Sequence, residues 1–464
     1  MRKNKTNATN TRIFFIYFTK YIFFDLNLFN LSLQLKGFPI RKAERVLKTI
    51  QNKNDHAFDV YVEHKKQDII SYHLKHNSFY KTFGKSINPL DWNTIPVMTK
   101  KDLQQPLDTL MSDGFTKKNV YVDKTSGASG QPFIFTKDKF CHALTWAIIK
   151  NRFGWFNIDF NTTKQARFYG IPLDKKGFYI EKLKDFVSRR TRFNVFDLSD
   201  KAFENWLSVF KTKELEYMNG YTSPMVQFAK YLKRKNIVLS MECPALKVCI
   251  TTSEMLFEND KQLLKTQFGV PVVNEYGASE LDLIAFEKPN GKWLVNSETL
   301  FVEVLDDNNT VLPYGEEGRL VITSLYNKSQ PFIRYDIGDI GILSKESTVK
   351  EPILEKLAGR TNDMAILPSG KKAAGLTFYY ITKSIIEDDG NVKEFVIEQT
   401  KLDTFKIIYV SSKNLSEEKM QHITIEMEKY LEKGLNINFE RHDKLVRSKS
   451  GKLKQFLSYL NQNT

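Results

Sequence analysis

Cysteine is scarce: the 464 residues hold three, Cys141, Cys243 and Cys249. An odd, scattered set builds no disulfide framework and points to a reducing compartment. No Cys/His group has zinc-site spacing. His73 and His76 share one face of a helical stretch, but that face is otherwise polar, so we read it as solvated rather than as a ligand pair. Long apolar runs are also missing. The longest near the N-terminus, Ile13 to Phe18, has six residues, whereas a spanning helix needs roughly 20. No small-residue cleavage site accompanies it, which argues against a secretory signal. Internal repeats, low-complexity tracts, a GxxxxGK[ST] phosphate loop and any Ser/His/Asp or Cys/His nucleophile arrangement are absent as well. The expected location is the cytoplasm.

Aromatics are plentiful, at 13% of the chain with 35 Phe, and hydrophobic residues reach 41%. A sizeable core can form, and the length suits one large domain plus a smaller one. The net charge of +15 is uneven. The first fifty residues hold ten Lys/Arg against two Asp/Glu, which accounts for +8 of it. Such a basic arm (1–50) suits anionic lipid at the inner membrane face, nucleic acid or an acidic partner; a solubilising extension fits equally well. Within it, Ile22, Leu26, Phe29 and Leu33 recur at helical spacing, which predicts a helix docked on the core rather than a membrane anchor. No nucleic-acid module is recognisable, and no nucleic-acid partner is expected.

Residues 41–110 read as helices broken by turns. From 120 to 360 short β-rich runs alternate with helical patterns: strands at Gln131–Thr136, Leu246–Thr251 and Gly318–Ser324, helices at Lys139–Phe153 and Ala202–Thr212. That alternation predicts α/β layers. Beyond Gly359-Arg360 the texture changes to strands at Glu394–Glu398, Phe405–Val410 and Leu435–Glu440 and a helix at Ser416–Glu432, a small α+β unit. The boundary falls near Asn362.

The segment Thr125-Ser126-Gly127-Ala128-Ser129-Gly130-Gln131-Pro132 combines small residues with hydroxyls. It lets backbone approach a polyphosphate and donate to its oxygens. Five more segments follow in order: Thr251-Thr252-Ser253-Glu254; Asn274-Glu275-Tyr276-Gly277-Ala278-Ser279-Glu280; Gly315 to Leu320; Arg334-Tyr335-Asp336-Ile337-Gly338-Asp339 with Gly359-Arg360; and Ser448-Lys449-Ser450-Gly451-Lys452. With them the sequence resembles the adenylate-forming acyl/aryl-CoA synthetase superfamily over about residues 70–455. Ser78-Phe79-Tyr80, Ile95 to Lys100, Gly220 to Pro224 and Pro331 to Asp336 make it most similar to the phenylacetate–CoA ligase branch, and especially to relatives associated with capsular polysaccharide.

That resemblance implies an α/β protein with a large multilayer adenylation domain (1–361) and a small, mobile α+β C-terminal domain (362–464) hinged at Asn362 and Asp363. It implies acid activation with ATP and Mg²⁺, then transfer to a thiol such as CoA. A sugar amine or hydroxyl, a carrier protein, or loss of catalysis with adenylate binding kept are the alternatives. Roles follow by position. Thr125, Ser126, Gly127, Ser129 and Gly130 would hold the ATP phosphates. Tyr276 and Gly277 would meet adenine opposite Thr252, Ser253 and Glu254. Glu280 would bind Mg²⁺, Asp339 the ribose hydroxyls, and Arg360 ribose or phosphate. Lys452 would reach the reacting carboxylate and α-phosphate. Tyr221, Ser223, Asn274 and Tyr276 would line the acid pocket. The sequence departs from the branch at Ala128, at Ile337, at Asn362-Asp363, and at Pro368 to Lys372, which lacks the usual arginine- and glycine-bearing run. These departures put phenylacetate and CoA in doubt as the true substrates, but not the nucleotide site.

Overall fold

The computed structural model describes residues 27–85, 87–88, 91–124, 134–170, 175–360, 364–374, 382, 392–447 and 453–460. Its strands fall into five sheets in chain order. Strands β1 (Val120–Lys124) and β2 (Ile134–Asp138) pair antiparallel. The second sheet comprises β3 (Gln165–Phe168), β4 (Arg190–Arg192), β5 (Tyr217–Tyr221), β6 (Val248–Thr252), β7 (Val272–Ala278), β8 (Asp282–Glu287) and β9 (Trp293–Val295). Their spatial order is β4-β3-β5-β6-β7-β8-β9; the first five run parallel and the last two return antiparallel. The third sheet is a meander of β10 (Leu300–Leu305), β11 (Glu317–Ser324), β12 (Tyr335–Leu343) and β13 (Leu354–Arg360). Then come the hairpin β14 (Met364–Ile366) and β15 (Lys372–Ala374), and a last sheet of β16 (Val392–Gln399), β17 (Thr404–Ser411), β18 (Asn436–His442) and β19 (Phe456–Ser458), ordered β18-β17-β16-β19.

Strand alternation sorts the second sheet's faces. Ala166, Phe168, Met218, Cys249 and Val272 join a core with helices Asp200–Lys213, Thr222–Arg234 and Glu258–Phe268. Tyr217, Val248, Ile250, Val273 and Phe286 pack on the other side against helices Ile40–Gln51 and Lys139–Gly154. A third core, including Tyr276, Ile284, Leu320, Ile322 and Tyr335, fills the seam between the second and third sheets. The residues after Met364 have their own core of Ala365, Phe395, Ile397, Phe405, Ile407, Ile423, Met427 and Phe456.

Local chemistry sets the helix ends. Asp138 accepts from the backbone N–H groups of Phe140 and Cys141, both at 3.0 Å, and so starts the helix Lys139–Gly154; Ser199 and Ser416 cap two others. Each such cap satisfies donors that the first turn leaves free. The helix Glu258–Phe268 stops at Gly269, whose φ of 68° is open to a residue without Cβ. The basic arm's helix runs Leu28–Leu35. Phe29 is buried against Trp146 and Phe160, with ring centroids at 5.0 and 5.2 Å. Docking thus holds for Phe29 and Leu33, while Ile22 and Leu26 lie outside the described residues.

His73 overturns one expectation. It is fully buried, with Nε2 2.9 Å from the Asn327 carbonyl oxygen and Nδ1 3.2 Å from Ser112 Oγ. The polar look of its helix misled because tertiary packing of Ile69, Ile70 and Tyr80 covers that face. Burial pushes the imidazole pKa down to about 4. The unfolded chain therefore binds a proton below about 6.5 that the folded chain refuses until about 4. Stability from neutral His73 is present above pH ~6.5 and is lost as pH falls through that window, by on the order of 3 kcal/mol. Urea unfolding of wild type and His73→Gln from pH 7.5 to 4.5 reads it: the wild type should lose stability more steeply, and parallel curves would refute the assignment.

Candidate active site

Two strand ends and a hairpin meet at the seam between the second and third sheets. The strand β6 ends at Thr252, and Ser253 then takes φ 68°, a left-handed conformation uncommon for residues other than glycine. The turn aims Glu254 at the start of the helix Thr222–Arg234. One carboxylate oxygen accepts from the Ser223 backbone N–H at 2.7 Å, and the other from the Leu453 N–H at 2.9 Å. A carboxylate suits a helix N-terminus, where unpaired N–H groups concentrate partial positive charge. Glu254 thereby ties the large lobe to the chain neighbour of Lys452. Two further contacts join the lobes: Arg447 donates to Ser223 Oγ at 3.1 Å while pairing with Glu394, and Gln227 donates to the Lys393 carbonyl at 2.6 Å. A narrow cleft lies between them, lined by Ser223, Val226, Met255, Glu394 and Leu453.

The turn from β7 to β8 faces β12. Tyr276 Oη donates to Asp339 Oδ2 at 2.6 Å, and Tyr335 Oη donates to Glu280 Oε1 at 3.0 Å. The donors and acceptors are four residues apart on each segment, so the pair of bonds cross-links the two sheets. Tyr276, Glu280 and Asp339 are each at least nine-tenths buried. Burial, then the Glu280 charge, drive the Tyr335 phenol far above its usual pKa, so it stays a donor. Gly338, with φ 81°, donates its N–H to Asp336 at 2.8 Å, and Arg319 holds Asp336 at 2.6 Å. Arg360 ends β13 directly opposite Asp339.

The turn itself is tight. A Cβ on Gly277 would sit 2.4 Å from the Asp282 carbonyl oxygen, so a side chain is excluded there. Asp282 adopts φ 60° and pairs with the buried Lys137, which also donates to the Ser279 carbonyl at 3.0 Å; Thr145 adds a bond to Asp282 at 2.6 Å. Lys137 thus grips both sides of Glu280. Sequence reading missed it, since a lone Lys in a strand carries no motif. A small pocket bordered by Lys137, Thr145, Glu280, Asp282 and Asn296 lies beside this network. Among the described residues no group of three or more His, Cys, Asp or Glu could hold a metal alone. A single carboxylate, Glu280, fits Mg²⁺ that arrives with phosphate oxygens, because that ion keeps several waters and takes few protein ligands.

The structure brings Tyr276, Gly277, Glu280 and Asp339 to this seam, and places Ser253 and Glu254 after the strand β6 that neighbours β7. Thr125, Ser126, Gly127, Ser129, Gly130, Asn362, Asp363 and Lys452 lie outside the described residues. Tyr221 is buried, its ring 4.9 Å from Tyr169. By strand register Tyr221, Thr252 and Glu275 form one cross-strand row, whereas Asn274 stands opposite Thr251 on the other face. The Asn274 backbone N–H is taken by Glu287 at 2.9 Å. Glu275 was unread as a side chain in its own right; its signal was a carboxylate placed between Val273 and Tyr276 in a buried strand.

No family model matches the chain. Protein CapK of Staphylococcus aureus is 23% identical over 87% of each chain. A phenylacetate-coenzyme A ligase of Escherichia coli is 22% identical over 60% of this chain and 63% of its own length. In fold, 2-hydroxyisobutyryl-CoA ligase in its postadenylation state matches 87% of this chain and 90% of its own with a TM-score of 0.66 at 17% identity. The same ligase in its thioesterification state matches with a TM-score of 0.54. Among the described residues no helix is long and apolar enough to cross a membrane. In sequence and in fold alike, the chain resembles the adenylate-forming acyl/aryl-CoA synthetase superfamily, on the side of its phenylacetate–CoA ligase branch.

Proposed function

We propose that this protein activates a carboxylic acid with ATP and passes the acyl group to a thiol such as CoA, in capsular or exopolysaccharide synthesis. The observation that carries the activation step is the pair of bonds Tyr276–Asp339 and Tyr335–Glu280 that joins the second and third sheets, with Glu254, after the neighbouring strand β6, holding the Leu453 N–H. In the first step a substrate carboxylate oxygen attacks the α-phosphorus of ATP, and the bond to pyrophosphate breaks. In the second a thiol sulfur attacks the acyl carbon, AMP leaves, and the thiol proton passes to solvent. Neither step needs a protein nucleophile. The work is positioning and neutralising charge on phosphate oxygens. Mg²⁺ bound through Glu280 would offset part of that charge. Asp339 would accept from the ribose hydroxyls and Tyr276 would cover the adenine, which favours ATP over GTP.

The match to the postadenylation state supports a closed arrangement in which Glu254 holds the segment beside Lys452 over the α-phosphate. Residues 362–464 would then rotate about Asn362-Asp363 to admit the thiol. Acid-dependent pyrophosphate release, screened with and without CoA, tests the reaction. Asp339→Ala should weaken ATP binding by ~1–3 kcal/mol, because two ribose hydroxyls and Tyr276 lose their acceptor. Calorimetric titration with ATP reads this, and unchanged affinity would remove Asp339 from the ribose site.

A further inference from the structure

The parallel strands carry a row of polar side chains that the nucleotide does not use. On the face that packs its apolar part against the helix Lys139–Gly154, the strand register aligns Arg190 and Gln165, then Arg167 and Asn219, then Tyr221, Thr252 and Glu275. Tyr221 and Thr252 close β5 and β6 at their carboxyl ends, where open α/β sheets bind their ligands, and Arg167 and Glu275 lie on the flanking strands; Gln165 and Arg190 open β3 and β4 at the amino ends. Its members touch one another. The Arg167 guanidinium lies 4.1 Å from the Tyr169 ring centroid, and Tyr169 packs on Tyr221. Tyr169 Oη and Gln165 Nε2 both donate to Asn219 Oδ1, at 3.1 and 3.3 Å. Thr252 hydrogen-bonds to Glu275.

Among the described residues Arg167 Nε is buried with no hydrogen-bond partner; Gln165 Oε1 and Arg190 Nε, also without one, lie at the amino ends of their strands. Buried polar atoms are nearly always satisfied, so the orphan on Arg167 calls for a polar partner that a ligand can supply. An unsubstituted aryl or alkyl acid would leave it unpaired and would desolvate Arg167 and Glu275 without return. Desolvation already raises the Glu275 carboxyl to about 7, against the pull of Thr252 and Arg167. A hydroxyl, by contrast, accepts from a guanidinium and donates to a carboxylate at once.

We propose that the acid activated here is a hydroxylated one, with a hydroxyl on its non-reacting part that bridges Arg167 and Glu275. This rests on the adenylation reading above and deepens it. The reaction that supplies the substrate must then leave a free carboxylate and at least one free hydroxyl on the same small molecule.

Acyl-sulfamoyl adenosines, stable mimics of acyl-AMP, test it by binding alone. Two matched pairs are compared by calorimetry: phenylacetyl against 4-hydroxyphenylacetyl, and isobutyryl against 3-hydroxyisobutyryl. The hydroxylated member should bind at least tenfold tighter in one pair. Glu275→Gln should narrow that gap, and Arg167→Leu/Glu275→Leu should close it, with ATP affinity unchanged in both variants as the check on folding. Equal or tighter binding of the apolar member in both pairs would overturn the proposal, as would a gap that survives both variants. If ATP binds but no analogue does, the acid site is elsewhere and this proposal fails alone. If neither ATP nor any analogue binds, the adenylation reading fails with it.

Discussion

Lys452→Ala should slow acyl-adenylate formation at least ~10²-fold, about 2.7 kcal/mol in the barrier, by analogy with the loss of one preorganised donor at a charged transition state. The argument begins from Leu453, whose N–H is held 2.9 Å from Glu254 in the large lobe. Leu453 is the chain neighbour of Lys452, and the proposed closed arrangement sets that lysine over the nucleotide. Its ammonium would neutralise charge as the carboxylate meets the α-phosphate. Under the proposed rotation, which would carry this lysine away, the thiol-transfer step, started from chemically prepared acyl-AMP, should be nearly unaffected. Asn362→Pro should give the reverse pattern, since the proline ring fixes one of the dihedrals that rotation must change. Both half-reactions are measured in both variants. Equal slowing of the two steps by Lys452→Ala would make its role structural and remove the support for rotation.

Lys137→Met should cost about 3 kcal/mol of folding stability, the lower end of what breaking a buried ion pair by removing one partner typically costs. The Lys137 side chain is 2% exposed, and its partner Asp282 is 20% exposed and held at φ 60°. Removing the ammonium leaves a largely buried carboxylate, with Thr145 its one remaining side-chain donor among the described residues. The double variant Lys137→Met/Asp282→Asn should recover more than half of the loss, because the unpaired charge is gone and Asn tolerates a left-handed backbone. Urea denaturation compares the three proteins. A single variant within 1 kcal/mol of wild type would show that the pair contributes little, and that other contacts hold the Glu280 turn.

The local elements were largely legible in the sequence. The helix expected at Lys139–Phe153 spans Lys139–Gly154, and that at Ala202–Thr212 spans Asp200–Lys213. Asp138, Ser199 and Ser416 mark the starts through backbone chemistry that any reader of caps can apply. The strand expected at Gly318–Ser324 begins one residue earlier, at Glu317. What was not legible depends on register. Nothing in the chain states that β3 lies between β4 and β5, and only that order brings Arg167 beside Asn219. A shift of one position along a strand moves a side chain to the other face, so the row of Arg167, Asn219 and Glu275 appears only once the register is known. Lys137 escaped for the same reason as His73: each looks ordinary along the chain, and each is defined by a partner more than a hundred residues away.

Strand β7 has a consequence for how such a protein changes over time. Glu275 and Tyr276 are adjacent, yet the pleat sends one into the row with Tyr221 and Thr252 and the other into the seam with Asp339. Under the roles proposed above, choice of acid and grip on nucleotide are written on alternate letters of one strand. A lineage can rewrite Glu275, Arg167 or Tyr169 to take a new acid while the apparatus that activates it stays intact. Kinship in the activating residues therefore says little about which acid any one member uses.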